Sequence, residues 1–459
     1  MGSHWDFLIS VILLMLTEQL CDLFSEVNLQ QRVDIFNAPL PMEWLEQALS
    51  LTETVTLRRR KLPPEQIIRL VVGMSLLRNE SIKEVATRLA FSSKGLDNSL
   101  LAARSSLSEA RQRLGSEPVK TLFEKSADHW ASQTHVDDNW QGLQPFAIDG
   151  TTLRTEDTPE CREHFGSAAT SGEFESGYPV MQLTCLTNVR SHIILRAVAG
   201  KYKDSELFQT MQMLENVPDN SVLLMDKLYH CAKLLIELES NGNKRFWVTP
   251  VRKDLKYNVT HQYTPTDQLV ERDLSSARRK DKTLPRHWGM RLITFKTSNK
   301  TVVKLATNLP HDEYSAKAII ALYKERWEIE LGYREVKTSM LKNALTLRSK
   351  KKDLVYQELY GMLLAYNLVR HEIALTADVV GLRPTRISFK SALRIVLYDY
   401  YITATTNSLH TIPARMKELT NVLKDFILPK PDRPDYPRAV KIKPTGFPLK
   451  KPENLRKKA

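Results

Sequence analysis

The order of apolar segments between residues 143 and 249 most restricts what this chain can fold into. Leu143–Asp149 is a short, largely apolar run, and Pro179–Leu186 and His192–Val198 then alternate apolar and polar residues around a turn at Asn188–Ser191. Alternation with a period of two predicts strands, and a short turn between two of them predicts an antiparallel pair. The region therefore begins with one strand and a hairpin.

A helix, a strand, a second helix and a further strand are expected next. Their predicted ranges are Asp204–Leu214, Ser221–Met225, Cys231–Asn241 and Phe246–Thr249. Strands that alternate with helices favour a mixed sheet with helices packed on it. The predicted fold class is α/β.

Two aspartates follow apolar strands of this region. Asp149 precedes Gly150, and Asp226 comes directly after Ser221–Met225. Open α/β sheets place their sites at the carboxyl ends of strands, which makes both aspartates candidate site residues. Each also has a purely structural interpretation, Asp149 as a turn former and Asp226 as a helix N-cap.

A third acidic residue lies on a helix predicted over about Ser315–Leu341, a segment without proline and rich in Glu, Lys, Ala, Leu and Ile. At about 100° per residue, Tyr323, Arg326, Glu330 and Lys337 fall within an arc of roughly 60°. A carboxylate, two cations and a phenol on one stripe suit a metal-bound phosphodiester. The alternative is a solvated face joined by ion pairs such as Arg326 with Glu330.

Carboxylates are the hard oxygen ligands that Mg²⁺ and Mn²⁺ prefer. Hydrolysis of a DNA phosphodiester is well served by two divalent cations about 3.5 to 4 Å apart. We assign Asp149 as the ligand shared by both ions, with Asp226 and Glu330 each completing one ion.

These motifs together resemble a known family. Tyr-x2-Arg-x3-Glu-x6-Lys, preceded by Asp149-Gly150-Thr151 and Asp226-Lys227-Leu228-Tyr229, is similar to the signature of bacterial cut-and-paste insertion-sequence transposases with a DDE active site. The resemblance extends from the helical N-terminal region, through Arg111–Gly115, to Leu345–Lys350, and so covers most of the chain. It implies a ribonuclease H-like core with a β-strand insertion between the second Asp and the Glu.

The resemblance also implies roles for the stripe and a reaction course. Tyr323, Arg326 and Lys337 would contact phosphates of the transferred end; the nicked strand would form a hairpin, and a homodimer would join the freed end to target DNA. Leu228 stands where many relatives have Gly. No Trp lies just upstream of Tyr323 to trap a flipped base, so Trp247 and Trp288 are the suggested substitutes.

The chain divides into five predicted segments. They are an N-terminal segment 1–35, a helical DNA-binding domain 36–140, a catalytic core 141–345 with an inserted β subdomain 251–308, a C-terminal helical region 346–428, and a basic Pro-rich tail 429–459.

Basic residues favour a polyanionic partner. Lys and Arg outnumber Asp and Glu by 66 to 53, and the net charge is +13. Arg58, Arg59 and Arg60 abut helices that could form a helix-turn-helix reader of terminal inverted repeats, or a small bundle with a solvated basic loop. Arg348 lies in a second basic stretch and is a further candidate DNA contact.

Other classes of site are disfavoured. The four cysteines form no C-x-x-C pair, Cys161 and His164 supply only half a zinc site, and no H-E-x-x-H, G-x-G-x-x-G or P-loop motif occurs. Phe7–Leu16 is about half as long as a membrane span. We expect a cytoplasmic, nucleoid-associated DNA transposase using Mg²⁺ or Mn²⁺; the alternatives are a nuclease without strand transfer and an inactive DNA-binding regulator.

Overall fold

The computed structural model describes ten stretches of the chain. They are residues 40–54, 62–89, 103–133, 135, 137–167, 175–297, 301–343, 346–405, 419–428 and 449–450. Arg58, Arg59 and Arg60 lie outside them, so their predicted DNA contacts stay predictions.

Five helices precede the sheet and four short or medium helices accompany its strands. The first five are α1 Met42–Leu51, α2 Pro64–Leu76, α3 Ile82–Arg88, α4 Arg104–Leu114 and α5 Glu117–Ser132. The next four are α6 Pro159–Phe165, α7 Glu206–Met211, α8 Ala232–Ser240 and α9 Ser275–Arg278. The last four are α10 Ala316–Glu325, α11 Trp327–Glu335, α12 Lys352–Val380 and α13 Phe389–Thr405.

Eleven strands are described. They are β1 Gln144–Arg154, β2 Glu175–Ser176, β3 Val180–Asn188, β4 Ile194–Lys201, β5 Ser221–Leu224, β6 Arg245–Pro250, β7 Asn258–Thr264, β8 Asp267–Asp273, β9 His287–Lys296, β10 Val302–Thr307 and β11 Leu449–Lys450.

Nine of the strands form one sheet in the order β4-β3-β1-β5-β6-β10-β9-β8-β7. The β1–β3 and β3–β4 pairs are antiparallel, whereas β1–β5 and β5–β6 are parallel. One strand, a hairpin, a helix, a parallel strand and a helix make up the ribonuclease H-like core, and the predicted fold class is confirmed. The hairpin turn is held by the Asn188 side chain, which accepts hydrogen bonds from the backbone N–H groups of Arg190 and Ser191.

The region predicted as an inserted β subdomain continues this sheet. β10 pairs antiparallel with β6, with Ala306 opposite Thr249, and β9, β8 and β7 follow outwards. β7 and β8 were not expected because β7 is exposed along almost its whole length and shows no apolar alternation. A buried ion pair between Asp267 and Arg291 joins β8 to β9.

Helix α12 packs between N-terminal and C-terminal helices. It is buried along most of its length and packs against α2, α5 and α13. The Asn367 side chain donates to the carbonyl of Ile194 and accepts from its N–H group, which attaches α12 to β4. The N-terminal helices therefore pack on a C-terminal helix and, through it, on the sheet.

Much of the surface of the N-terminal helices that could form a helix-turn-helix is buried by this packing. The ten residues from Ile67 to Leu76 on α2 are all buried. Arg111 on α4 is buried too, and its guanidinium donates to the Gln357 side chain on α12. A capping box begins α3, with the side chains of Ser81 and Glu84 each accepting a hydrogen bond from the other's backbone N–H group. No helix in the described parts of the chain is long and apolar enough to cross a membrane.

His371 on α12 should make the fold acid-sensitive. Burial lowers the pKa of His371 to about 4, helped by the positive charges of His135 and His129. In the unfolded chain the imidazole has its ordinary pKa of about 6.5. Because the unfolded state then binds more protons than the native state between about pH 6.5 and 4, the free energy of unfolding falls as pH drops through that window.

From pH 7 to pH 5 this single group should cost about 2 kcal/mol of stability. Urea unfolding at both pH values, on the wild type and on His371→Gln, measures the difference. The variant should lose about 2 kcal/mol less than the wild type on acidification. Equal losses in the two proteins would show that His371 does not carry the effect.

Candidate active site

Asp149 lies on β1, and Asp226 lies two residues beyond the end of the adjacent parallel strand β5. The β1–β5 pairing ends with Ala147 opposite Leu224, and each aspartate lies two residues beyond that last pair. Neighbouring strands run about 4.8 Å apart, so the two segments begin side by side, and the negative charge of Asp226 contributes to raising the pKa of Asp149. The sequence prediction that both belong to the same end of neighbouring strands agrees with this register.

The predicted turn at Asp149–Gly150 is wrong. β1 continues to Arg154 because it remains paired with β3, with Asp149 opposite Cys185. Asp226 does cap a helix: its Oδ1 accepts from the Leu228 N–H at 2.6 Å and begins a short 3-10 helix, Lys227–Tyr229. The structural interpretation therefore holds for Asp226 and fails for Asp149.

The environment of Asp149 disfavours its negative charge. Burial raises the pKa of Asp149 to about 6; the Gly150 N–H group and Arg326 oppose the rise, and the negative charges of Glu206 and Asp226 add to it. The Gly150 N–H donates to Oδ1 at 3.0 Å. A divalent cation beside Asp149 would relieve this cost, because it favours the ionised carboxylate.

The predicted signature helix is two helices with a break at Arg326. α10 ends at Glu325, α11 runs over Trp327–Glu335, and a π-helical turn follows at Val336–Met340. The Arg326 guanidinium donates to Glu330 Oε1 at 2.9 Å. The ion pair that the sequence offered as a simple surface contact is therefore formed.

Two side chains attach this helix to β1. The Tyr333 hydroxyl donates to the Asp149 carbonyl oxygen at 2.5 Å, and the Lys337 ammonium donates to the Thr151 hydroxyl. Burial lowers the pKa of Lys337, opposed by the negative charge of Asp149. Glu330 and Lys337 thus belong to a helix that is fixed beside the first aspartate.

Tyr323 lies beside Arg326 on the other side of the break. Burial raises the pKa of Tyr323 to about 12, with Arg326 acting in the opposite direction and the charges of Asp226 and Glu330 adding to the rise. Tyr323 therefore lies near Arg326, Glu330 and Asp226.

The remaining glutamates of the two helices point to other partners. Each is bound by a cationic or imidazole side chain from the β3–β4 turn or from α12; the pairs are Glu325 with Arg190, Glu328 with His192, and Glu335 with Arg370. The Arg190 guanidinium contacts both oxygens of Glu325, at 3.0 and 3.1 Å. These contacts fix the orientation of the helix that carries Glu330.

Comparisons with known proteins show the family to which the chain belongs. The family described as "Transposase DDE domain" matches residues 140–368, and "Insertion element 4 transposase N-terminal" matches residues 30–124. The transposase InsG for insertion sequence element IS4 of Escherichia coli K12 is 36% identical over 431 residues, which are 92% of this chain and 96% of InsG. The chain belongs to the IS4-type DDE transposases.

Two further relatives extend the comparison. InsZ of E. coli K12 is 42% identical over 221 residues, covering 48% of the transposase and 72% of InsZ. A solved piggyBac transposase synaptic complex with hairpin DNA has a TM-score of 0.43 and 11% identity, over 91% of this chain and 88% of that one.

As a DDE transposase the chain is a DNA-cleaving and strand-transfer enzyme of an insertion sequence, and it uses divalent metal ions. The three candidate residues Asp149, Asp226 and Glu330 supply oxygen donors only, the donor set that Mg²⁺ and Mn²⁺ accept. Among the described residues no three His, Cys, Asp or Glu side chains already converge as a metal cage. The chemistry of the donors fits a hard cation, and Glu330 is at present bound to Arg326.

Some suggested residues of the transposase have other surroundings. Trp247 and Trp288 are buried in the core, with ring centroids 5.7 Å apart, so the proposal that either traps a flipped base is wrong. The Arg348 guanidinium donates to the carbonyls of Met74, Arg78 and Glu80. Arg348 is thus turned towards the protein interior.

The sequence interpretation of the transposase missed Glu206 and Tyr333. Glu206 was predicted only to open a helix, and Ser205 does cap that helix by accepting from the Phe208 N–H. Tyr333 is three residues after Glu330 and therefore on the same side of the helix, which was the available signal. Glu206 had no local signal, because its contact with the site is made across the sheet.

Proposed function

We propose that this transposase holds two divalent cations, Mg²⁺ or Mn²⁺, with Asp149, Asp226 and Glu330, and that it cuts its element's ends and joins them to target DNA. The proposal is supported by the positions of Asp149 and Asp226, each two residues beyond the last pair of the parallel strands β1 and β5. Bound cations would activate the attacking oxygen and stabilise the leaving oxygen.

Arg326 is proposed to exchange partners when DNA binds. Its guanidinium donates to Glu330 in the structure and can grip a phosphate through two hydrogen bonds instead. That exchange would free the Glu330 carboxylate for a cation. Tyr323 and Lys337 would contact neighbouring phosphates, Tyr323 from beside Arg326 and Lys337 from its position on Thr151.

The assembly is proposed to be a homodimer on DNA, acting through a hairpin on the terminal inverted repeats. Both follow from the family resemblance. The predicted core 141–345, with the insertion 251–308, and the flanking segments remain our proposed domain division. We also keep Arg58, Arg59 and Arg60 as proposed contacts to the repeats, and nucleoid association as the expected consequence of DNA binding.

Incubation with DNA fragments that flank the coding region, a target plasmid and Mg²⁺ tests the function. Ends joined to the plasmid support strand transfer, whereas cuts alone would indicate a nuclease and intact, retarded DNA a binding regulator. Removal of the metal by EDTA should stop cutting and leave DNA bound. Denaturing gels that show no hairpin intermediate would overturn that step alone.

A further inference from the structure

Glu206 is a carboxylate of the active-site region that the three-residue site does not include. It is the first residue of α7, and its two oxygens accept hydrogen bonds from neutral donors. The Tyr229 hydroxyl donates to Oε2 at 3.0 Å, and the Gln182 amide donates to Oε1 at 3.3 Å. Both contacts orient the carboxylate without cancelling its charge.

Gly150 provides the space for this carboxylate. A Cβ atom at Gly150 would lie 2.2 Å from Glu206 Cδ and 2.4 Å from Oε1, and the three nearest atoms all belong to Glu206. The glycine lies within β1 and was predicted from sequence as a turn residue. Its absence of a side chain instead lets Glu206 rest on the backbone directly after Asp149.

Tyr229 connects the same carboxylate to the second aspartate. It is fully buried and ends the 3-10 helix whose N-cap is Asp226. The Tyr229 hydroxyl donates to Glu206, and Glu206 also lies against Gly150. The Glu206 side chain therefore contacts both the segment that carries Asp149 and the segment that carries Asp226. The pairing of β1 with β5 ends two residues before the aspartates. Beyond that point, the contacts of Glu206 and Tyr229 connect the two segments.

We propose that Glu206 is a positioning residue for the cation site: it sets the spacing of the Asp149 and Asp226 segments through Gly150 and Tyr229, and its negative charge strengthens cation binding. The proposal rests on the proposed function, because it assumes that the two aspartates hold the cations. It assigns a reason to the glycine after Asp149 and to the tyrosine three residues after Asp226.

Mn²⁺ binding to the full chain without DNA, measured by electron paramagnetic resonance, tests the proposal independently of catalysis. Glu206→Ala should weaken Mn²⁺ binding by about tenfold, the lower end of the effect of outer-shell residues, because it removes a negative charge and the contact with Tyr229 that links the two segments. Tyr229→Phe should weaken it less, because only the hydrogen bond is lost. Cutting should recover at saturating Mn²⁺, which a merely structural defect would not allow.

Gly150→Ala provides a second and sharper test. The added methyl group must displace Glu206, so this variant should lose Mn²⁺ affinity to a similar extent. In the Glu206→Ala background the methyl group meets no carboxylate, and Gly150→Ala should then have little further effect. Such non-additivity is expected of residues in contact, whereas independent residues give additive losses.

Asp149→Asn separates this proposal from the proposed function. If Asp149→Asn loses Mn²⁺ binding and cutting while Glu206→Ala keeps wild-type affinity, the role of Glu206 is refuted and the site stands. If Asp149→Asn binds Mn²⁺ and cuts normally, the site assignment itself fails. Additive losses for Gly150→Ala and Glu206→Ala would also overturn the positioning role.

Discussion

Glu330→Gln should abolish DNA cutting and spare DNA binding. The substitution keeps the shape of the side chain and its acceptor for Arg326, but it removes the negative charge that the cations require. A catalytic metal contributes several kcal/mol of charge stabilisation. At 1.36 kcal/mol per tenfold change in rate, a loss on the order of 10³-fold is expected.

Single-turnover cutting of end DNA and a gel-retardation assay measure the two properties. Glu313→Gln is the matched control, since Glu313 is exposed just before α10 and the same charge is removed. The control should cut at the wild-type rate. Normal cutting by Glu330→Gln would show that Glu330 is not part of the catalytic centre.

Glu358→Ala should strongly lower the free energy of unfolding. Glu358 is buried on α12 and accepts hydrogen bonds from the Arg78 guanidinium at 2.6 Å and from the Ser349 hydroxyl at 2.6 Å. The backbone N–H groups of Arg348 and Ser349 also donate to it. Its removal leaves buried Arg78 without its anion, which costs about 3 to 5 kcal/mol for a broken buried pair.

Urea unfolding followed by circular dichroism measures this loss. Glu109→Ala, at an exposed position of α4, is the control and should change stability by no more than about 0.5 kcal/mol. A loss below about 1 kcal/mol in Glu358→Ala would mean that water solvates the Arg78 guanidinium well enough to replace its ion pair with Glu358.

The core of the fold could be predicted because its signals are local. The hairpin β3–β4, the buried strand β5 and the helices α7 and α8 each follow from apolar periodicity or a capping residue within a few positions. β7 could not be predicted, since its exposed residues carry no such pattern. The break at Arg326 could not be predicted either, because the sequence around it favours an unbroken helix.

The candidate site was predictable only where its residues lie on periodic elements. Asp149, Asp226 and Glu330 could be proposed from the sequence because Asp149 ends a predicted strand, Asp226 directly follows one and Glu330 lies on a predicted helix. Arg348 resembled a DNA contact because its neighbours are basic, yet its guanidinium binds carbonyls at the end of α2 and in the following turn. The surroundings of both Arg348 and Glu206 are determined by contacts with residues distant in sequence, which local patterns do not reveal.

The packing of the N-terminal helices on α12 has a consequence for gene copies of the insertion sequence that are interrupted by mutation. A gene copy that stops before Lys352 encodes α1 to α5 without α12, the helix against which α2 and α5 pack. Its product would expose the apolar faces of α2 and α5 and be prone to aggregation and proteolysis. Interrupted copies should consequently be silent, and they should not furnish a repressor that competes with the intact protein for the element's ends.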